Sequence, residues 1–528
     1  MNPISRLRFW LLRPVPIIAA VFMATSTCMG LGSWTNVINA APGSVELMLL
    51  LSDGTVMAKD AGTNSGAWYR LTPDSHGSYI KGTWSTLAPM NFTREFYSSA
   101  VLQDGRVFVA GGEYGTGGGT AEVYDPKANA WTTLTVPPGL ICTNCGPPGF
   151  SDAGSVVLSN GNVLIAPVSI ASSGGTVVFN SVSNTFSAGP SSAVNQNEAT
   201  WVKLPDDSIL TIDPSSNPSF LNSSERFIPS LNNGQGAWIA DASLPVAMYN
   251  SSTETGAGVL LPDGRAFFIG GNGQTAYYTP SGNTNKGSWT IGPTLVSPGV
   301  GWDEPAAMMM NGKVLFQTVL GPVQNPQPRG FYEMDPNVNY PVGTITETPE
   351  WGDNSGTSHI MLNLPDGNVL VSYGSATVRV YQPDGIPVAA GKPTVASIRF
   401  NPDGSLHLTG TRFNGISQGS SFGDDAQMDS NYPLVRFIAG SGEVTYARTF
   451  NWSSTSVQTS NRIVSTEFTM PGSIAGTGAV QLQVVVNGIA SDPVPFPRVL
   501  ATNTLTFSGS SSMGIDLRHC GRHHHISG

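Results

Sequence analysis

The sequence predicts an all-β protein, a seven-bladed β-propeller followed by a smaller antiparallel β-sandwich. Three observations carry that prediction. The chain of 528 residues is only 11% charged yet holds 61 Gly and 39 Pro, so long solvated helices cannot dominate it. A turn between two apolar runs recurs seven times along the first three quarters of the chain, six times as Asp/Asn-Gly and once as Asp-Asp. Beyond about Gly391 the recurrence stops and short strand-like runs follow. With 40% hydrophobic residues the chain has enough apolar material for a packed core and does not read as disordered. A net charge of −10 and the lack of a phosphate-binding motif argue against a nucleic-acid surface.

At the N-terminus, Arg6, Arg8 and Arg13 precede an apolar stretch from Val15 to Ala24, the pattern of a secretory signal. A stretch this short cannot cross a hydrocarbon layer that needs about 20 residues. Residues 1–30 therefore read as a signal peptide, and the expected location is secreted or extracytoplasmic, with no integral membrane span in the mature chain. Cleavage motifs lie at Ala24-Thr25-Ser26 and at Ile38-Asn39-Ala40. Cys28 raises a lipid anchor, although Thr25-Ser26-Thr27 lacks the usual aliphatic residue. In an exported chain Cys142 and Cys145 are expected to form a disulfide. The His-rich segment around Cys520 falls in a tail, 505–528, read as disordered with adventitious metal affinity.

The seven turns have their Asp or Asn at 53, 104, 160, 206, 263, 311 and 366. Apolar runs flank each one, as in Val101-Leu102-Gln103-Asp104-Gly105-Arg106-Val107-Phe108, because this turn needs positive φ, which Gly supplies. Only the fourth departs, with Asp207 at the glycine position. A period near fifty residues belongs to four-stranded blades of the kelch type. The second copy shows the whole blade: Gly111-Gly112 after the second strand, Glu122-Val123-Tyr124-Asp125-Pro126 in the third, Trp131-Thr132-Thr133-Leu134 in the fourth. The last copy ends at Val378-Arg379-Val380-Tyr381 without such a Trp strand, whereas Trp34-Thr35-Asn36-Val37 precedes the first. Closing a ring removes exposed sheet edges, so the Trp34 segment is expected to complete the seventh blade. The propeller then spans 34–388. Over 391–500, runs such as Val395–Phe400, Leu434–Phe437 and Val480–Val486 predict an immunoglobulin-like (early-set) sandwich.

This architecture resembles the galactose oxidase and glyoxal oxidase family of radical-copper enzymes, and Arg94-Glu95-Phe96-Tyr97-Ser98-Ser99-Ala100 running into the second turn is the closest local match. The resemblance implies copper held by two tyrosines and two histidines, one tyrosine crosslinked to a cysteine. On those positions this chain has Phe96 for the equatorial tyrosine and Thr357-Ser358 for the Tyr-His pair, with His359 one place late. Arg448 stands where the sandwich histidine is expected. A one-residue slip turns a strand side chain to the other face, and copper prefers nitrogen and soft donors. The resemblance thus implies the fold, while copper is not expected.

The eighth residue before each turn Asp or Asn, where the resemblance places the blade ligands, is Val45, Phe96, Asp152, Glu198, Thr255, Asp303 and Ser358, expected at the mouth of the central channel, with Glu254 and Glu304 adjacent. Asp152, Glu198 and Asp303 offer oxygen donors that suit a hard cation such as Ca²⁺, or else accept backbone N–H groups and hold the ring together. Gly423-Asp424-Asp425 with Asp429 reads as an Asx-rich turn, or as part of a calcium site. Arg94, Phe96, Tyr97, Glu254, Thr255, Glu304, Ser358 and His359 form the candidate ligand-binding set, Phe96-Tyr97 offering rings for a sugar. The expected function is an exported, catalytically degenerate propeller that binds a glycan or an extracellular protein at its mouth. The alternative is a carbohydrate or aldehyde oxidase with an altered metal site.

Overall fold

The computed structural model describes residues 30–496 and 505–506 apart from 142–148, 151–152, 168–174, 197–198, 214–218, 250–254, 296–298, 301–303, 321–328, 350–358, 423–425 and 475–479. Seven four-stranded antiparallel blades form a propeller. Their first strands are Val45–Leu50, Ser98–Val101, Gly154–Val157, Trp201–Lys203, Gly258–Leu260, Pro305–Met308 and Ile360–Asn363, and each touches those of its two neighbouring blades around the axis.

All seven turns are built alike, because the side-chain Oδ1 of each turn Asp or Asn accepts the N–H two residues on, from Thr55, Arg106, Asn162, Ser208, Arg265, Lys313 and Asn368. The residue between has positive φ, from 78° at Gly54 to 91° at Gly367, and 67° at Asp207. The Asx side chain closes the turn locally, and Gly adopts its backbone without strain. Gly264→Ala isolates that strain, since the added methyl group would meet only Gln458 Oε1 at 3.8 Å. We expect it to cost about 1 kcal/mol, read from the midpoint of denaturant unfolding.

The ring closes as the sequence predicts. Ser33–Asn36 pairs antiparallel with Arg379–Gln382 as the outer strand of the seventh blade. Trp34 packs there against Tyr381 and Phe331, with ring centroids 4.7 and 4.9 Å apart.

Two five-stranded antiparallel sheets follow the propeller and share a core of Ile398, Leu406, Leu408, Val435, Phe437, Phe468, Leu482 and Val484. This sandwich sits on the turn end of the propeller. Arg448 Nη2 donates to Asp104 O (2.8 Å), Thr455 Oγ1 to Leu158 O (2.5 Å) and Gln458 Nε2 to Leu261 O (2.7 Å). Tyr432 Oη donates to Leu50 O and Gln103 Nε2 to Trp452 O, while the sixth turn is met by the linker, Val388 N donating to Met310 O.

One hairpin leaves the sandwich and fills the channel. Its strands are Gly419–Phe422 and Ala426–Asp429. The first extends the sixth blade by pairing with Pro305–Met308, Phe422 lying opposite Pro305, and the two strands touch the first strands of the first, second, third, fifth and seventh blades. Lys203 of the fourth blade receives Gln418 Oε1 on its backbone N–H at 2.9 Å. Phe422, Ala426 and Met428 thereby join the core of the first and second blades.

Candidate functional site

Each first strand runs from the mouth to its turn, so the sandwich covers one end of the ring and the mouth is at the other. Phe422 lies opposite Pro305, the first residue of a first strand, so the strands flanking residues 423–425 reach the mouth end. The sequence reading placed this segment among the sandwich loops. Its polar strand Gly419-Ser420-Ser421-Phe422 has no apolar alternation to mark it as buried, which is why the plug was missed.

Phe96 stands at the mouth with φ of 51°, a left-handed conformation that a bulky side chain rarely adopts. A two-stranded ribbon, Arg94–Glu95 against Tyr114–Gly115, holds it, and Phe96 O accepts Glu113 N–H at 3.1 Å. The Phe96 ring meets Tyr114 edge-on, centroids 6.1 Å apart, and Tyr114 is 49% exposed. Glu95 is fixed beside this pair by the Thr63 hydroxyl.

The other candidates are placed differently, and burial corrects several ligand-contacting roles. Arg94 is fully buried beneath the ribbon. Its Nη1 donates to Gly111 O, Gly117 O and Thr120 O, and its Nη2 to Thr120 Oγ1 and Glu122 Oε2. Burial pulls its pKa down and Glu122 opposes that; the guanidinium braces the scaffold. Tyr97 is buried in the core shared by the first two blades, where burial, and then the charge of Glu46, push its hydroxyl pKa well up. Thr255 lies in the seam between the fourth and fifth blades, where its Oγ1 accepts Thr200 N–H at 3.3 Å. His359 is buried between the sixth and seventh blades, its Nδ1 2.6 Å from Gln317 Nε2 and its ring against Phe331 and Tyr373. Glu304 is buried next to Pro305, and Val45 donates to Ser375 O. Cys142, Cys145, Asp152, Glu198, Glu254, Asp303 and Ser358 lie outside the described residues.

Phe96 has no donor atom, and the His359 ring is held in a blade seam. Arg448 is at the turn end, bonded to Asp104 O, so its alignment with a ligand histidine is corrected. Among the described residues no three His, Cys, Asp or Glu side chains cluster as a metal site.

Comparison with known proteins comes back to the same region. Residues 96–135 match the Kelch motif, which is the second blade from the mouth through its fourth strand. A fungal alcohol oxidase of the AA5 family, solved in complex with copper, is similar in structure, with 14% identity over 88% of this chain and 99% of that chain and a TM-score of 0.49. No curated protein matches the chain. Among the described residues no helix is long and apolar enough to cross a membrane.

Proposed function

We infer that this is an exported binding protein, a relative of the galactose and glyoxal oxidases that holds an extracellular glycan at the mouth of its propeller. One observation carries the reading. The sandwich covers the turn end and its hairpin strands run through the channel, so among the described residues the mouth is the end of the ring that the sandwich leaves uncovered. There, the half-exposed Tyr114 ring, set edge-on to the partly buried Phe96, stands beside the Glu95 carboxylate, which suits the apolar face and the hydroxyls of a sugar. Loops at one end of a rigid ring are where binding commonly resides. Export rests on the basic and apolar pattern of residues 1–30, and a protein partner at the same surface is the other possibility.

The test is glycan-array binding by the purified mature chain, run beside metal analysis and peroxide release on sugars and aldehydes. Saturable glycan binding without turnover is the expected result; stoichiometric copper with turnover overturns it. Tyr114→Ser should weaken binding about ten-fold, close to 1.4 kcal/mol, while stability changes by less than about 1 kcal/mol. A titration of the bound glycan and a thermal melt check both halves.

A further inference from the structure

Three positions meet in the first, second and fourth blades: the tenth residue before the turn Asp, the seventh after it, and a third-strand residue fixed by register. In the second blade these are Arg94, Gly111 and Glu122, with Glu122 opposite Val109, and the outcome is a buried ion pair. In the first they are Gly43, Asp60 and Tyr69, with Tyr69 opposite Ala58. Tyr69 Oη donates to Asp60 Oδ2 at 2.8 Å, and a methyl group on Gly43 would strike both. In the fourth they are Gln196, Asp213 and Glu225, with Glu225 opposite Thr211. There the cation has become an amide and the glycine an acid. The two carboxyl groups share the Gln196 amide as a donor, and among the described residues no cation is bonded to either.

We propose that Asp213 and Glu225 form a proton-holding pair, which ties down the segment leading into the fourth blade while one proton is shared and loosens it when that proton is lost. The geometry is that of a latch. Gln196 Nε2 donates to Asp213 Oδ1 at 3.3 Å and to Glu225 Oε2 at 3.4 Å. Glu225 accepts the N–H groups of Ala193 and Val194 at 2.9 and 3.3 Å. Ser223 Oγ donates to Asp213 Oδ2 at 2.6 Å, and Gln196 Oε1 accepts Trp201 Nε1–H at 3.2 Å. Among the described residues neither acid is in an ion pair. Arg226, the neighbouring cation on the same strand, is turned to Asp206, Asp241 and the carbonyls of Asn283 and Asn285, and Asp241, beyond the adjoining fourth strand, is paired with that arginine.

Two buried carboxyls that accept from one amide nitrogen cannot both ionise cheaply. Burial, followed by the charge of Asp213, raises Glu225 from 4.5 to about 7; burial raises Asp213, against hydrogen bonds from Ser223 and Gln196. A carboxyl whose folded pKa is raised stabilises the fold fully below its unfolded value. That contribution is lost as pH rises from about 4.5 through about 7. The N–H groups of Ala193 and Val194 favour ionised Glu225 but are outweighed by burial and Asp213, so above that range opening of the segment that carries them, which returns Glu225 to water, becomes easier.

The experiment uses the full mature chain. Hydrogen exchange of the peptide spanning 190–200, corrected for intrinsic base catalysis, should show at least ten-fold less protection at pH 8.5 than at pH 5.5. Asp213→Asn should shrink that difference, since the burial of Glu225 remains, and Gln196→Arg with Asp213→Gly, which rebuilds the second blade's set, should abolish it. Protection that does not change with pH in the parent chain, or changes equally in the Asp213→Asn chain, overturns the proposal. Should neither variant fold, the parent chain's exchange profile still decides.

Discussion

Arg94→Leu is expected to destabilise the propeller by about 3–5 kcal/mol, the usual cost of removing one partner from a buried ion pair. Arg94 and Glu122 are both fully buried, and the guanidinium satisfies three backbone carbonyls as well as the carboxylate. Glu122 Oε1 accepts Asn91 N and Nδ2 at 3.0 and 2.7 Å, and Oε2 accepts Phe92 N at 3.3 Å. Without the arginine, those dipoles alone face a buried negative charge, and the carbonyls of Gly111, Gly117 and Thr120 each lose a donor. Arg94→Leu combined with Glu122→Gln should recover part of the loss, since the uncompensated charge is gone. Arg94→Lys should fall between, because an ammonium cannot reproduce the planar fork. Denaturant unfolding of Arg94→Leu, Glu122→Gln and the double variant gives the coupling. If Arg94→Leu loses less than about 1 kcal/mol, the brace is not a structural pillar of the blade.

The turns were legible in the sequence because their chemistry is local. An Asx acceptor two residues before its N–H donor, followed by Gly or, once, Asp207, needs nothing from the rest of the chain. Closure by Trp34 was legible for a topological reason: one blade lacked its outer strand, and one strand lacked a blade. The mouth was less legible. Register along a strand shows which residue comes first but not what it packs against, and Thr255 and His359 are bonded across the seams between neighbouring blades. The Gln196, Asp213 and Glu225 group could have been found by carrying the ten-before and seven-after positions across the copies. Each residue alone looks ordinary, and only the comparison with Arg94, Gly111 and Glu122 exposes the missing cation. The channel hairpin gave no such signal, because its partners lie in six other elements far along the chain.

A chain ending at residue 390 is expected not to form a stable propeller, and the reason is that hairpin. Phe422, Ala426, Met428, Tyr432, Leu434 and Trp452 belong to one continuous core with Val45, Leu49, Leu50, Tyr97 and Leu362. Removing them leaves a void along the axis, where packing loss adds to the lost transfer free energy. The Tyr432 and Trp452 rings stack at 4.4 Å and close the turn end over Leu50 and Gln103. Lys203 adds an electrostatic cost. Its ammonium is buried and donates to Thr455 O at 2.7 Å; burial lowers its pKa, and Asp429 of the hairpin is the charge that most opposes this. Take away both partners and the ammonium is left over an empty channel. The sandwich has its own core, so residues 391–506 alone should still unfold cooperatively. Expressing both pieces and recording thermal melts gives the comparison. A truncated propeller melting within a few degrees of the full chain would mean that the blades support one another without their plug.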